Sequence, residues 1–184
     1  PNDPNNETKV KNLSGVIIGQ IEVISRVATA FSEFAQLPKR NDEEINLNRE
    51  IRNVLTIFSD ENIFIHASHD NIMMKIDKDY LARIIINLVT NASQAKADNR
   101  KSVINVDIEK IEKRIKIIVN DNGVGISPDK LEKIFDPNFT SKNSGMGIGL
   151  TMVKRMVEDY NGTITVVSEV DKGATFTISM PSNL

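Results

Sequence analysis

The 184-residue sequence has no cysteine, which excludes disulfides, thiol catalysis and cysteine-ligated metal sites, and is neutral on compartment. Histidine is scarce, with only His66 and His69. A charge excess is missing too. The 23 Lys and Arg against 25 Asp and Glu leave a net charge of −2 and a pI near 5.8. No global electrostatic case therefore exists for a nucleic-acid partner. No apolar run approaches the roughly 20 residues that cross a bilayer, and no signal peptide opens the chain. The start, Pro-Asn-Asp-Pro-Asn-Asn-Glu without a Met, leads us to expect a fragment of a longer protein, whose other parts are open to membrane segments.

What is present is ordinary for a globular protein, 40% hydrophobic and 26% charged, and long enough for one domain with a core plus an appendage. Residues 10–36 are free of proline, and Leu13, Ile17, Ile24, Val27, Phe31 and Phe34 follow an alternating spacing of four and three in which Gln20 is the single polar interruption. This predicts a helix with a coiled-coil-like seam that ends before Pro38, with the charged linker Lys39-Arg-Asn-Asp-Glu-Glu44 after it. Beyond the linker the texture is α/β. A short strand at 45–47 precedes a helix at 49–58 capped by Asn48. Residues 63–67 and 72–76 read as two strands joined by the turn 68–71, and Asp77 caps a long helix at 78–96. Hairpins are expected at 103–109 with 114–120 and at 163–168 with 174–180. Between them, Ser127 and Pro128 open a short helix to 134, a loop covers 136–147, and a helix spans 148–160 and stops at Gly162. The sum is an α+β two-layer sandwich, a mixed sheet with helices on one face, preceded by the long helix.

Three stretches carry chemistry. In Ile117-Ile-Val-Asn-Asp121-Asn-Gly123-Val-Gly125, a buried strand ends in a carboxylate and turns through two glycines, which let a ligand approach the backbone. On the long helix, Leu81, Ile84, Ile85, Leu88 and Ala92 form a core stripe, flanked by a polar stripe of Tyr80, Arg83, Asn87, Asn91 and Gln94. An Asn91 amide oxygen there would be a neutral, hard ligand for Mg²⁺, which takes most of its other oxygens from water and substrate phosphates. In Lys142-Asn-Ser-Gly145-Met-Gly147-Ile-Gly149-Leu150, three glycines run into a helix N-terminus, a place that favours an anion, and Lys142 adds charge. This loop is expected to act as a mobile lid over phosphates. The three together fit ATP: Asp121 accepts from the adenine amine and repels the guanine carbonyl, Asn91 holds Mg²⁺, and the lid cradles the phosphates.

These residues resemble the catalytic ATP-binding domain of sensor histidine kinases, within the wider group that includes gyrase, Hsp90 and MutL. Asn87-Leu-Val-Thr-Asn91-Ala is similar to the N box, and Asp121-Asn-Gly-Val-Gly-Ile126 to the first glycine box. Phe135-Asp-Pro-Asn-Phe139-Thr140-Ser141-Lys142 resembles the F box, and Gly145-Met146-Gly147-Ile148-Gly149-Leu150 the second glycine box. Thr175 matches a late strand position that touches the nucleotide pocket in the family. The resemblance covers roughly residues 45–182 and implies a Bergerat-type fold, ATP and Mg²⁺ as ligands, and nucleotide contacts from the box residues just named and from Gln94. It divides the chain at 40/41. Residues 1–40 resemble the second helix of the dimerisation and phosphotransfer hairpin, and the stretch Phe31-Ser-Glu-Phe34-Ala-Gln-Leu-Pro38 resembles the NtrY-like branch. The parent is expected to form a homodimer through this helix, to pass phosphate to a response regulator receiver domain, and to place this cytoplasmic fragment inside a bacterium, with anchoring in the inner membrane left open.

Two departures stand out. Where many members carry Lys three residues after the metal-binding Asn, this chain has Gln94, which shifts phosphate contacts toward Lys142 and the lid. The acceptor, a His followed by Glu or Asp on the first hairpin helix, is absent; His69-Asp70 matches in letters but falls in a predicted turn. No catalytic side chain is identified, and the fragment is not expected to phosphorylate itself. Gyrase- and Hsp90-type hydrolases place a Glu base one turn before the metal-binding Asn, where this chain has Asn87, an amide without useful basicity. An anti-sigma type serine kinase and a nucleotide-gated interaction module remain as alternatives.

Overall fold

The computed structural model describes residues 13–15, 17–21, 40–58, 62–137, 139 and 147–182. Residues 13–15 and 17–21 are helical, with Leu13, Ile17 and Ile21 exposed. The remainder of the predicted N-terminal helix lies outside the described residues.

From residue 40 the chain builds two layers. One is a five-stranded sheet of β2 (Ile63–Ala67), β4 (Ile104–Ile111), β5 (Arg114–Asp121), β6 (Thr163–Glu169) and β7 (Gly173–Pro181), in the order β2-β4-β5-β7-β6. Only β2 and β4 run parallel. The second layer holds α1 (Leu47–Leu55), α2 (Lys78–Gln94) and α4 (Gly149–Glu158), with the short α3 (Pro128–Leu131) between sheet and α4 in sequence. A two-stranded sheet pairs β1 (Glu43–Asn46) with β3 (Met73–Ile76).

Period-two alternation decides which sheet face is covered. Ile104, Val106 and Ile108 on β4, Ile115, Ile117 and Val119 on β5, and Ala174, Phe176, Ile178 and Met180 on β7 are buried. Against them lie Leu81, Ile84, Ile85, Leu88 and Ala92 of α2, the stripe expected from its 3.6-residue period, and Met152, Val153, Met156 and Val157 of α4. Asp121 has the same parity as Ile117 and Val119, so the row of β5 that builds the core ends in a carboxylate, 4% exposed, under the helices.

Several boundaries differ from expectation. The cap of α1 is Asn46, whose Oδ1 accepts from the Arg49 amide, while Asn48 is buried inside the first turn and donates to the His69 carbonyl. Residues 63–67 and 73–76 do not form a hairpin: β2 joins β4, and β3 returns to β1. Each strand's alternation is compatible with either partner, and tertiary contacts such as the Leu47 amide to the Ile72 carbonyl decide. Ser127 stands at the N-cap of α3 without capping it; its side chain bonds Asp129 and lowers that carboxyl's pKa. Tyr80, assigned to the polar stripe, is 2% exposed and meets Tyr160 edge-on at 6.2 Å.

The two helices that frame the site are tied to each other and to the linker. Asp77 caps α2 through Oδ1, which accepts from the amides of Asp79 (2.8 Å) and Tyr80 (3.1 Å), while Oδ2 accepts from the Asn41 amide at 2.6 Å. Burial alone would raise the Asp77 carboxyl; these three amides and the nearby Arg40 charge outweigh it and hold the pKa below its ordinary value. Just beyond α4, the Tyr160 hydroxyl donates to Asp42 and accepts from the Asp77 amide, and Arg40 lies 4.6 Å over its ring. Burial first, then the Asp42 carboxylate, push the Tyr160 phenol far above its ordinary pKa.

Candidate functional site

Where β5 and β7 pass under α2 and the start of α4, the two layers part to leave a cavity of about 320 Å³. One end carries Asp121. Its Oδ1 accepts the Gly123 amide at 2.8 Å, an Asx-type closure that turns the chain immediately after the strand. The walls are apolar: Ile126, Ile134, Phe139, Ile148, Leu150, Ala174 and Phe176. The polar lining beyond Asp121 is Asn91 and Gln94 from α2 and Lys130 from α3.

The glycines after Asp121 have a different task from the one expected. A Cβ on Gly123 would stand 2.2 Å from the Ala95 carbonyl oxygen. At Gly125, with φ +71°, a Cβ would stand 2.1 Å from the Glu169 carbonyl oxygen. Both therefore let the loop close on the end of α2 and on the β6–β7 turn, an approach sealed by the Val124 amide to Ala95 (2.7 Å) and the Asp171 amide to Val124 (2.8 Å). Of the two, Gly125 also lines the cavity and Gly123 does not.

Gly147, Ile148, Gly149 and Leu150 bring the N-terminus of α4 to the cavity. Ile148 at the cap has no side-chain acceptor, so the cap residue satisfies none of the helix's first amides, the arrangement suited to an anion. The Thr151 hydroxyl donates to the Phe135 carbonyl at 3.1 Å and fixes this end of α4 to the segment before Phe139.

Of the residues expected at the site, Asn91, Gln94, Asp121, Gly125, Ile126, Phe139, Gly147, Ile148, Gly149 and Leu150 meet at this cavity. Thr140, Ser141, Lys142, Gly145 and Met146 lie outside the described residues. Asn87 stands one turn before Asn91 but off the lining: it donates to the Arg83 carbonyl at 2.8 Å, and its Oδ1 packs on Gly149. Thr175 is corrected outright. Its parity is opposite to Ala174 and Phe176, so it accepts from Asn120 on the other face of the sheet at 2.8 Å. That alternation was readable from the strand, and it would have selected Ala174 and Phe176 instead. Lys130 and Ala95 gave no comparable signal, because their approach depends on how α3 and the end of α2 pack.

The donor set suits Mg²⁺ bound jointly with phosphates. Asn91 lines the cavity, where its amide oxygen would serve as one ligand beside phosphate oxygens, and among the described residues no group of three or more His, Asp or Glu could hold an ion alone. His66 is exposed on the uncovered sheet face, and His69 sits in the bend after β2, its Nδ1 2.8 Å from the Ser68 hydroxyl.

Residues 76–184 match the family model described as histidine kinase-, DNA gyrase B- and HSP90-like ATPase. The chain is 33% identical over 178 residues to the sensor histidine kinase ZraS of Escherichia coli K12, covering 94% of this chain and 38% of that protein. It is 31% identical over 169 residues to sporulation kinase D of Bacillus subtilis, covering 86% of this chain and 33% of the relative. It thus spans well under half the length of these relatives. The nucleotide-free catalytic domain of histidine kinase ThkA superposes with a TM-score of 0.70 at 28% identity, over 77% of this chain and 96% of that one.

Proposed function

Because the chain belongs to the histidine kinase-, DNA gyrase B- and HSP90-like ATPase family, we propose that its cavity is the ATP site of a two-component sensor histidine kinase. The observation that carries this is the carboxylate of Asp121, buried at the end of a core-facing strand row and opening on a cavity that also receives Asn91 and the N-terminus of α4. Asp121 accepts a hydrogen bond from the exocyclic amine of adenine, where the carbonyl of guanine would meet it with like charge. Ile126, Phe139, Ile148, Leu150 and Phe176 enclose the ring. Asn91 would hold Mg²⁺, which when bound neutralises phosphate charge. The α4 amides, Gln94 and Lys130, the last a contact that the sequence alone did not supply, would meet the phosphates; Lys142, expected from the sequence to add charge there, lies outside the described residues.

The chain then works by positioning. It holds the γ-phosphoryl group for attack by an imidazole nitrogen of a His on another helix; the N–P bond forms, the bond to ADP breaks, and the phosphoryl group later passes to an Asp of a receiver domain. Asn87 puts an amide without useful basicity where gyrase- and Hsp90-type hydrolases carry their Glu base, which supports transfer over hydrolysis. In the parent, residues 1–40 supply the homodimer helix and 41–184 the catalytic domain. Isothermal calorimetry with ATP and GTP, with and without Mg²⁺, tests the reading: ATP is expected to bind at least ten-fold more tightly than GTP. Equal affinities would sink it.

A further inference from the structure

Arg100, in the connection between α2 and β4, makes three short contacts to backbone oxygens. Its Nε donates to the Asn122 carbonyl, and its Nη2 to the carbonyls of Gly123 and Asp171, each at 2.6 Å. The connection is held from the other side as well. Asn122 accepts from the Val103 amide through Oδ1 at 2.9 Å and donates to the Lys101 carbonyl at 2.9 Å. The carbonyl of Asn122 and the amide of Gly123 belong to one planar peptide unit. That amide is the donor to Asp121 Oδ1, so the guanidinium holds one end of the same rigid plane whose other end orients the carboxylate at the cavity. A cation on the carbonyl also strengthens the N–H at the opposite end of the unit. The third contact, to Asp171, joins this plane to the β6–β7 turn. There a Cβ on Gly173, at φ +104°, would stand 1.9 Å from the Asp121 carbonyl oxygen.

We infer that Arg100 is a positioning residue for adenine selection: by fixing the Asn122–Gly123 peptide plane it sets the orientation of the Asp121 carboxylate, without touching nucleotide. This rests on the ATP reading of the cavity. Lysine cannot replace it, since an ammonium lacks the flat fork of donors that reaches all three carbonyls.

The test is a double-mutant cycle of Arg100→Gln and Asp121→Asn, read by calorimetry with ATP and with GTP, alongside thermal unfolding without nucleotide. Arg100→Gln is expected to weaken ATP about ten-fold and leave GTP nearly unchanged, so that the ATP-to-GTP ratio falls by the same factor. Once Asp121→Asn is present, Arg100→Gln is expected to add little. If Arg100→Gln lowers both nucleotides equally, or its effect on ATP multiplies with that of Asp121→Asn, the residue only cements the loops and the inference fails. Should Arg100→Gln not fold, Arg100→Lys enters the same cycle with the same criteria. A wild-type chain that binds ATP and GTP alike sinks the reading of the site and this inference with it, and shows itself before any variant is made.

Discussion

At Gly125 a single hydrogen atom decides whether the site can close. The positive φ, and a Glu169 carbonyl oxygen only 2.1 Å from where a Cβ would stand, leave room for no side chain. Gly125→Ala combines left-handed strain with an overlap against backbone, and is expected to cost about 2–4 kcal/mol in urea denaturation. Asn91, on α2 at the cavity, is expected to affect binding more than folding. Asn91→Ala is expected to remove about ten-fold of the Mg²⁺-dependent gain in ATP affinity while leaving metal-free binding unchanged. An unaltered Mg²⁺ titration would take Asn91 out of the site. The sequence singled these residues out better than it placed them. Asp121 and Asn91 were legible because a carboxylate ending an apolar strand and a second amide inside a helix need a reason. The glycines were legible as necessary but not as packing residues, because Ala95 and Glu169 are distant in the chain.

The elements around the site are pinned at the ends away from the cavity. Asp77 caps α2 and also receives the linker through Asn41, while Tyr160, beyond α4, bonds both Asp42 and the Asp77 amide. The folded pKa of Asp77 lies below its ordinary value of 3.8. A depressed carboxyl contributes stability that is fully present above the unfolded pKa and is lost as pH falls through the folded value. Chemical denaturation from pH 7 to pH 2 is therefore expected to show this contribution intact at neutrality and declining below about pH 4. Asp77→Asn keeps one acceptor for the helix cap but loses the second for Asn41. It is expected to cost about 1–2 kcal/mol at pH 7 and to flatten the acid limb. Asp77 was legible as a cap, since Asp before an apolar-periodic run announces one. The tie to Tyr160 was not, because 83 residues separate the partners. The same limit explains the misread hairpin: local pattern locates β2 and β3, and only long-range pairing shows that they belong to different sheets.

On the scale of the whole molecule, sheet register settles what the two histidines can do. Asp121 pairs with Ile104, which pairs with Ile63, so the cavity end of the sheet is the start of β2. His69 follows the other end of that strand, where the Ser68 amide reaches the Ile108 carbonyl. Along the strands the two ends are separated by about 13 Å or more at 3.3 Å per residue. In-line transfer needs the reacting atoms roughly 3–3.5 Å apart. His66, on the face of β2 away from the helices, is turned from the cavity altogether. The fold therefore puts the proposed nucleotide site out of reach of either histidine among the described residues. Incubated with γ-labelled ATP and Mg²⁺, the chain alone is expected to acquire no acid-labile, base-stable phosphate. A separate polypeptide bearing a helix with His followed by Glu or Asp is expected to become labelled when this chain is added, and not when Asp121→Asn replaces it. Label on His69, located by peptide mass mapping, would overturn the assignment of the acceptor to another helix.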